Sequence, residues 1–428
     1  MKEFFKHSRN KTILFWVCAA VALLALAVIE SSSANDFDIF LHGSVDLFQF
    51  KNIYVIKYNE WYHYYYSVFF AILLKPFTMV PVFAAHMAWI ILNVFFVYRT
   101  WKVLINLLQA CFASQQQKNI FSLLVFLFML RFLRDNFHHG QTTLLILYLS
   151  LEGLNFLFSG KKIAGAAFIA LGINIKILPV VLIPYLLYRR QFAATGMIVL
   201  FLLVYFFLPS IVIGHQQNMF LAHEWWQLVN PSKSEHMIDT DERSFHGLTT
   251  LIPTLLMSKV NDWHVMPLRR NIMDLGVEQV VFIVTIVRLF FVLLTIYFLR
   301  TLPFKKSPSP LHSFWELSYI LLAVPLLFPH QQHYAFYFCF PSVMYLLYFS
   351  FHKKQHTEKM KFINTTLLLI ALLFNASILF GAFDIYYDHF KIVTYGALLL
   401  IVLLMICKPS EMQNIIDPLP SLRSFTFN

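Results

Sequence analysis

Long apolar runs, separated by short polar segments, constrain this chain more than any other feature of its sequence. A helix needs about 20 apolar residues to cross a bilayer, and many of the runs reach or approach that length. Only 13 % of the residues are charged and 59 % are hydrophobic, which leaves too little charge to cover the surface of a soluble protein. The sequence therefore predicts an all-α polytopic membrane protein with about 11–13 apolar segments, folded as a single domain over residues 1–428. The runs lie near Ile13–Ile29, Tyr65–Val80, Val82–Leu104, Ile120–Leu133, Thr142–Phe158, Ile163–Tyr188, Ala194–Ile213, Val280–Leu299, Trp315–Phe328, Tyr334–Phe351, Ile363–Phe380 and Ile392–Cys407.

The first run follows four basic residues, Lys2, Lys6, Arg9 and Lys11. A cleaved signal peptide is one interpretation. The run is long for such a peptide, however, and many further apolar runs follow it, so an uncleaved anchor is preferred. The basic residues then place the N-terminus in the cytoplasm.

The polar segments indicate an orientation. Cytoplasmic loops are enriched in Lys and Arg, and five basic clusters therefore predict the cytoplasmic side: Lys161-Lys162, Arg189-Arg190, Lys305-Lys306, Lys353-Lys354 and Lys359/Lys361. Two longer segments, 31–64 and 214–279, contain acids, tryptophans and histidines instead. We expect them on the periplasmic side of a bacterial inner membrane, with amphipathic helices such as Met219–Val229 on the membrane surface, and residues 408–428 as a cytoplasmic tail.

The run Ile163–Tyr188 lies between two of the basic clusters. If both clusters share one side of the membrane, this run must be a hairpin of two half-helices. Lys176 and Pro179 near its middle favour such a break. A second run must then fail to cross, and Tyr65–Val80 is the first candidate because it contains Lys75-Pro76.

Two carboxylates, Asp36 and Asp38, follow the first run within Asn35-Asp36-Phe37-Asp38. One interpretation is the start of a capped helix with a solvated acid. The other is a general base at the outer face, able to take a proton from a sugar hydroxyl.

Several cations and polar groups lie at or near the ends of later runs. Arg131, Arg134, Asp135 and His138 have the spacing of one helix face, which predicts either a snorkelling cluster or a cationic patch for a lipid phosphate. Lys176 lies inside an apolar run; it is either functional or paired with Glu152. His330 and His333 stand in a turn where Gly, Asn or Asp would be usual.

Five motifs, taken in order, resemble glycosyltransferase family 87, whose members are membrane-embedded GT-C enzymes using polyprenyl-phosphate sugars. They are Asp36-Phe37 with the tyrosine-rich stretch ending at Tyr64-Tyr65-Tyr66-Ser67, Gly140-Gln141-Thr142-Thr143, Lys176 to Pro179 with Arg189-Arg190, Arg243 to Gly247, and Pro329 to Tyr334.

The resemblance implies a GT-C-like fold and transfer of a hexose, with mannose as the leading guess, to a lipid-linked or envelope glycan acceptor. It implies an inverting reaction with Asp36 as the base and Asp38 as the second candidate. Lys176, Arg134 and His333 would stabilise the departing phosphate. A lipid or sugar transporter without catalysis is the alternative function.

The remaining candidates for substrate binding share a position at the same predicted outer face. They are Arg131, His138, Gln141, Arg243, His246, His330 and Tyr334. The four cysteines show no spacing typical of zinc ligands, and no metal or cofactor is expected. The chain has a net charge of +11, and in a membrane protein such an excess of Lys and Arg normally lies in the cytoplasmic loops. No nucleic-acid partner is therefore expected.

Overall fold

The computed structural model describes residues 25, 28–30, 35–59, 62–108, 112, 114–230, 236–240, 244–258, 260, 266, 268–299, 303–305, 307–352, 357–381 and 384–411. Within these ranges the chain is helical and forms no strand; two isolated bridges pair Tyr58 with Tyr62 and Phe245 with Gln332. Most of the predicted first anchor, Ile13–Ile29, lies outside the described residues.

The helices of the first half are α1 (Asp36–Leu47), α2 (Val68–Leu73), α3 (Val82–Leu108), α4 (Gln115–His138), α5 (Thr143–Phe158), α6 (Lys162–Ile175), α7 (Leu182–Tyr188), α8 (Phe192–Phe207), α9 (Pro209–Ile213) and α10 (His215–Val229). The helices of the second half are α11 (Leu248–Leu256), α12 (Val277–Leu299), α13 (Pro310–Leu327), α14 (Phe340–His352), α15 (Glu358–Phe380), α16 (Asp384–His389) and α17 (Ile392–Ile406). Short 3-10 helices lie at Lys75–Met79, Leu178–Val181, His333–Cys339 and Pro409–Glu411.

Six helical segments of the described chain are long and apolar enough to cross a membrane: Val82–Asn106, Phe192–Ile213, Val277–Leu299, Pro310–Leu327, His333–His352 and Glu358–Phe380. Five shorter apolar helical segments accompany them. The segments Pro310–Leu327 and His333–His352 are buried at the centre, whereas Phe192–Ile213 and Val277–Leu299 expose most of their apolar side chains. The prediction of an all-α polytopic membrane protein is confirmed.

The chain breaks at Lys176, as the sequence predicts. Helix α6 ends at Ile175, Lys176 is extended, and the chain resumes as a 3-10 helix with Pro179 in its first turn. Gly172 lies next to Pro179, where the two arms meet. Arg189, just beyond α7, reaches the carbonyl of Leu299 at the end of α12. The run Ile163–Tyr188 is therefore two helical arms.

The run Tyr65–Val80 does not form a spanning helix. Its α-helix, α2, has 6 residues and passes at Leu74 into a 3-10 helix that contains Pro76. Pro lacks an amide proton and clashes with the preceding turn, so it interrupts an α-helix here. The prediction that this run is incomplete is confirmed.

The helix bundle has two distinct ends. At one, which we call the site end, the start of α1 meets the turn between α4 and α5. At the other, which we call the basic end, Arg189 is buried against Glu316 near the start of α13.

Two polar segments cover the site end. Helix α1 lies in the first, and the amphipathic α10 lies in the second. The two segments are joined where Asn52 donates a hydrogen bond to Glu224 at 2.8 Å and where Trp225 donates to the carbonyl of Tyr65 at 3.2 Å. The predicted amphipathic stretch Met219–Val229 is the last part of α10.

Candidate functional site

Helix α1 begins with a capping box. The Asn35 side chain accepts a hydrogen bond from the amide of Phe37, and the Asp38 carboxylate accepts one from the amide of Asn35 at 2.9 Å. This reciprocal pair satisfies two amide donors that a helix start otherwise leaves unpaired. Asp36 lies in the same first turn, where the helix dipole favours a negative charge. The sequence-based interpretation of Asn35 to Asp38 as a capped helix start is thus confirmed.

Asp36 interacts with two residues from distant parts of the chain, Gln141 and Lys176. The Gln141 side-chain amide donates a hydrogen bond to its carboxylate. The charges of Lys176 and Asp36 interact, and the Lys176 ammonium lies 5.7 Å from the ring centre of Tyr66. Thr142, next to Gln141, hydrogen-bonds the Tyr66 hydroxyl at 3.2 Å. A carboxylate, a cation, an amide and a phenol thus lie together at the site end.

The turn at Gly140 holds Gln141 in place. Gly140 has φ +61°, a conformation that glycine adopts without steric cost. Its carbonyl accepts a hydrogen bond from the Trp89 indole at 2.8 Å, and a methyl group on its Cα would come within 2.7 Å of the Asn35 side chain. Gly140 therefore lets the α4–α5 turn approach the start of α1.

We expect Gly140→Ala to lower the free energy of unfolding by about 2–3 kcal/mol, from a left-handed non-glycine residue and a clash with Asn35. Gly160→Ala is the matched control, because Gly160 has φ +77° with nothing within 4 Å of an added methyl. That variant should lose only about 1 kcal/mol. Thermal unfolding in detergent measures both, and equal losses would show that the Asn35 contact is unimportant.

Asp38 is engaged differently from Asp36. Besides the amide of Asn35, its carboxylate contacts Nε2 of His86 at 2.8 Å. Burial raises the pKa of Asp38, but the hydrogen bonds from His86 and Asn35 outweigh it and hold the pKa below its usual value. Both carboxylate oxygens of Asp38 thus have partners at the start of α1 and α3.

Lys176 does not pair with Glu152, which was the structural alternative. Glu152 is buried in α5 and its carboxylate is bound by Arg99 of α3. The Lys176 ammonium instead lies over the Tyr66 ring, and its charge interacts with that of Asp36.

A second polar cluster surrounds Arg131, which is buried in α4. Its guanidinium lies 3.3 Å from Asp135, 3.6 Å from Asp384 and 3.8 Å from Asp388, and it stacks over the ring of Tyr387. Arg131 is therefore neutralised by carboxylates of the protein itself.

Two histidines complete this cluster. His333 lies 3.4 Å from Asp135, and His246 lies 3.3 Å from Asp388. Burial, with the positive charges of Lys391 and Arg131 nearby, holds the pKa of His246 well below its usual range. His246 is thus uncharged at neutral pH.

Arg134 and His138 do not join Arg131 and Asp135 in one patch. Arg131 and Asp135 are buried, whereas Arg134 and His138 are exposed, and His138 pairs with Glu30 at 3.0 Å. The four residues lie on one helix but do not form one patch, because the boundary of helix packing runs between them. Spacing along a helix predicts a shared face but does not say which part of it another helix covers.

A third cluster contains His330, which has φ +56° in the turn after α13. His330 lies 2.7 Å from His236 and 2.9 Å from Asp239, and its ring packs against that of Tyr65.

Tyr334 and Arg243 are the remaining candidates. The backbone carbonyl of Tyr334 accepts a hydrogen bond from the side-chain amide of Asn136 at 2.9 Å. Arg243 lies outside the described residues.

The structure thus brings Asp36, Gln141 and Lys176 together and distributes the other candidates over neighbouring clusters. Sequence reasoning missed His86 as the partner of Asp38 and Tyr66 as the partner of Lys176. The cap at Asn35, by contrast, had a local signal, since Asn three residues before an acid is typical of a capping box. Among the described residues, no group of three His, Cys, Asp or Glu side chains has the geometry of a metal site.

Comparison with known proteins agrees with the resemblance noted from the motifs. The family model of glycosyltransferase family 87 matches residues 64–329, which is more than half of the chain. The match includes Gln141 and Lys176. It excludes Asp36, which precedes it, and His330, which directly follows it. No curated protein matches the sequence. On the strength of the family match and the helical membrane fold, this chain belongs to glycosyltransferase family 87.

Proposed function

We propose that this glycosyltransferase moves a hexose, with mannose favoured, from a polyprenyl-phosphate monosaccharide to a lipid-linked or envelope glycan acceptor, with inversion at the anomeric carbon. The observation that carries the proposal is the Asp36 carboxylate beside Gln141 and Lys176 at the site end. An inverting transfer needs one base for the acceptor hydroxyl and cationic help for the leaving phosphate.

Asp36 is the base in this proposal because it is partly exposed at the mouth of the bundle. Gln141 is buried and fixes one carboxylate oxygen of Asp36 through its amide nitrogen. The Gln141 carbonyl oxygen, Oε1, has no hydrogen-bond partner in the described part of the chain. Because that oxygen is buried, Gln141 acts in this proposal through its amide nitrogen, by fixing the orientation of the Asp36 carboxylate.

Lys176 supplies the cation for the leaving group. The broken helix presents it at the site end between α6 and the following 3-10 helix, and the Tyr66 ring holds its ammonium by a cation–π contact. Negative charge builds on the donor phosphate as the sugar departs, and a fixed ammonium stabilises that charge most in the transition state.

The orientation follows from the basic end. Arg189, Lys161 and Lys162 are typical of a cytoplasmic face, so the site end faces the periplasm of an inner membrane in this proposal. Segments 31–64 and 214–279 then form the outer cover of the site within one membrane domain, and residues 408–428 form a cytoplasmic tail.

The direct test is transfer by the purified full-length chain from a synthetic polyprenyl-phosphate mannose to lipid extracts of the membrane, with a labelled sugar. Polyprenyl-phosphate glucose and a nucleotide sugar serve as comparison donors. Transfer from the lipid donors alone is the expected result. Transfer from the nucleotide sugar alone would refute the donor class, and absence of any transfer with all donors would refute the proposal.

We expect Lys176→Ala to lower kcat by about 10²-fold, the scale of losing one preorganised charge-stabilising group, while the donor KM changes little. An interaction made mainly in the transition state appears in kcat rather than in KM. Lys102→Ala, an exposed lysine of α3, is the matched control and should leave both constants unchanged. A larger effect of Lys176→Ala on KM than on kcat would assign Lys176 to ground-state binding instead.

A further inference from the structure

Arg288 lies in the middle of α12, an apolar helix whose only other charged residue is Glu278 in its first turn. Its neighbours Ile286, Leu289 and Val292 are exposed, and the helix as a whole is among the least buried of the candidate spans. Arg288 therefore lies on a helix that faces lipid. A charge in such a position is costly and is retained mainly where it serves a purpose.

The guanidinium of Arg288 has one partner in the described structure, the sulfur of Met237, at 2.6 Å from Nη1. A thioether is a weak acceptor, whereas a guanidinium offers five donors. No carboxylate of the described residues forms an ion pair with Arg288. Within the described part of the chain the side chain is thus a cation without an anionic partner, half-buried at the edge of the bundle.

The depth of Arg288 follows from the packing of α12 on α13. Phe298 stacks on Tyr319 with ring centres 4.0 Å apart, and the two helices are antiparallel neighbours. With about 1.5 Å of rise per residue in each helix, Arg288 lies level with position 329, just beyond the end of α13 at Leu327. That is the level of the turn that carries His330.

Arg288 also lies close to the covering loop of the site end. Met237 follows His236, which contacts His330 in the third cluster described above. The path from the lipid-facing side of α12 to the site end therefore passes Arg288 and then the loop 236–240.

We propose that Arg288 binds the phosphate of a lipid that enters sideways from the bilayer, between α12 and the loop 236–240. The guanidinium fork matches two phosphate oxygens, and an amphiphile can bring an anion to a cation at the edge of an apolar helix bundle. Met237, unbranched and flexible, can yield its place to the phosphate. Two lipids offer this chemistry, an anionic phospholipid and a polyprenyl phosphate; assignment to the donor lipid rests on the proposed function.

Lipid retention by the purified full chain tests this directly. Native mass spectrometry would measure the binding of dioleoyl phosphatidic acid and of undecaprenyl phosphate to the wild type and to Arg288→Gln. Loss of a charge-assisted hydrogen bond should weaken phosphate binding by at least about tenfold. Arg269→Gln is the matched control, since Arg269 is an exposed arginine in the loop before α12, and it should retain both lipids.

Loss of both lipids in Arg288→Gln supports a general lipid-phosphate site, and selective loss of undecaprenyl phosphate supports entry of the donor. Equal retention by the wild type and Arg288→Gln would overturn the proposal. Arg288→Lys keeps the charge but not the guanidinium fork, so its lipid retention should be intermediate. It replaces Arg288→Gln as the test variant if Arg288→Gln does not fold. Because lipid binding is measured without sugar transfer, its result can be interpreted even if the proposed reaction is not observed.

Discussion

Replacement of Asp36 by Asn is expected to reduce sugar transfer by about 10²- to 10⁴-fold, the range typical of losing a general base. The amide cannot take the proton of an acceptor hydroxyl, yet it has nearly the same shape, so the start of α1 and its cap should persist. The measurement is kcat with a synthetic polyprenyl-phosphate sugar, together with the thermal unfolding midpoint in detergent. The midpoint should stay close to that of the wild type.

Asp38→Asn is the matched control, because Asp38 lies two positions further along the same helix. Its carboxylate is already engaged by Asn35 and His86, so this variant should lose stability more than activity. Near-normal turnover in Asp36→Asn with strong loss in Asp38→Asn would transfer the role of base to Asp38. Loss in both, with intact folding, would show that the pair acts together.

The second large effect is expected at the basic end, in the ion pair of Arg189 and Glu316. Both side chains are fully buried, and the carboxylate also accepts a hydrogen bond from Tyr185 at 3.1 Å and lies 2.9 Å from His312. Glu316→Ala would leave the Arg189 guanidinium buried without its counter-ion. We expect the free energy of unfolding to fall by about 3–5 kcal/mol.

The exposed pair of Lys361 and Glu358, 2.7 Å apart, provides the comparison. Glu358→Ala should not change the unfolding midpoint measurably, since water screens an exposed pair. Glu316→Gln keeps hydrogen-bonding atoms and should lose less than Glu316→Ala. A Glu316→Ala protein as stable as the wild type would mean that Arg189 is held by the carbonyls of Leu299 and Lys305 alone.

Part of the candidate site was accessible from the sequence and part was not. The capping box at Asn35 and the break at Lys176 are local, and both were predictable from residue type and spacing. The partner of Asp38, His86, was not predictable, because a histidine near the start of an apolar run gives no sign of what it faces. Neither was the burial of Arg131 among carboxylates of the distant α16.

The sequence by itself determined the membrane class and the positions of most apolar helices. It also predicted a break within Ile163–Tyr188 and offered Tyr65–Val80 as the incomplete run, because run length, proline and charge act within a few residues. Only the tertiary structure decided which loops meet. Asp36 with Gln141 and Arg189 with Glu316 join residues more than a hundred positions apart. Helices that are apolar on every side carry little periodic signal of the face that packs inward, so their neighbours follow from the close fit of side chains in three dimensions.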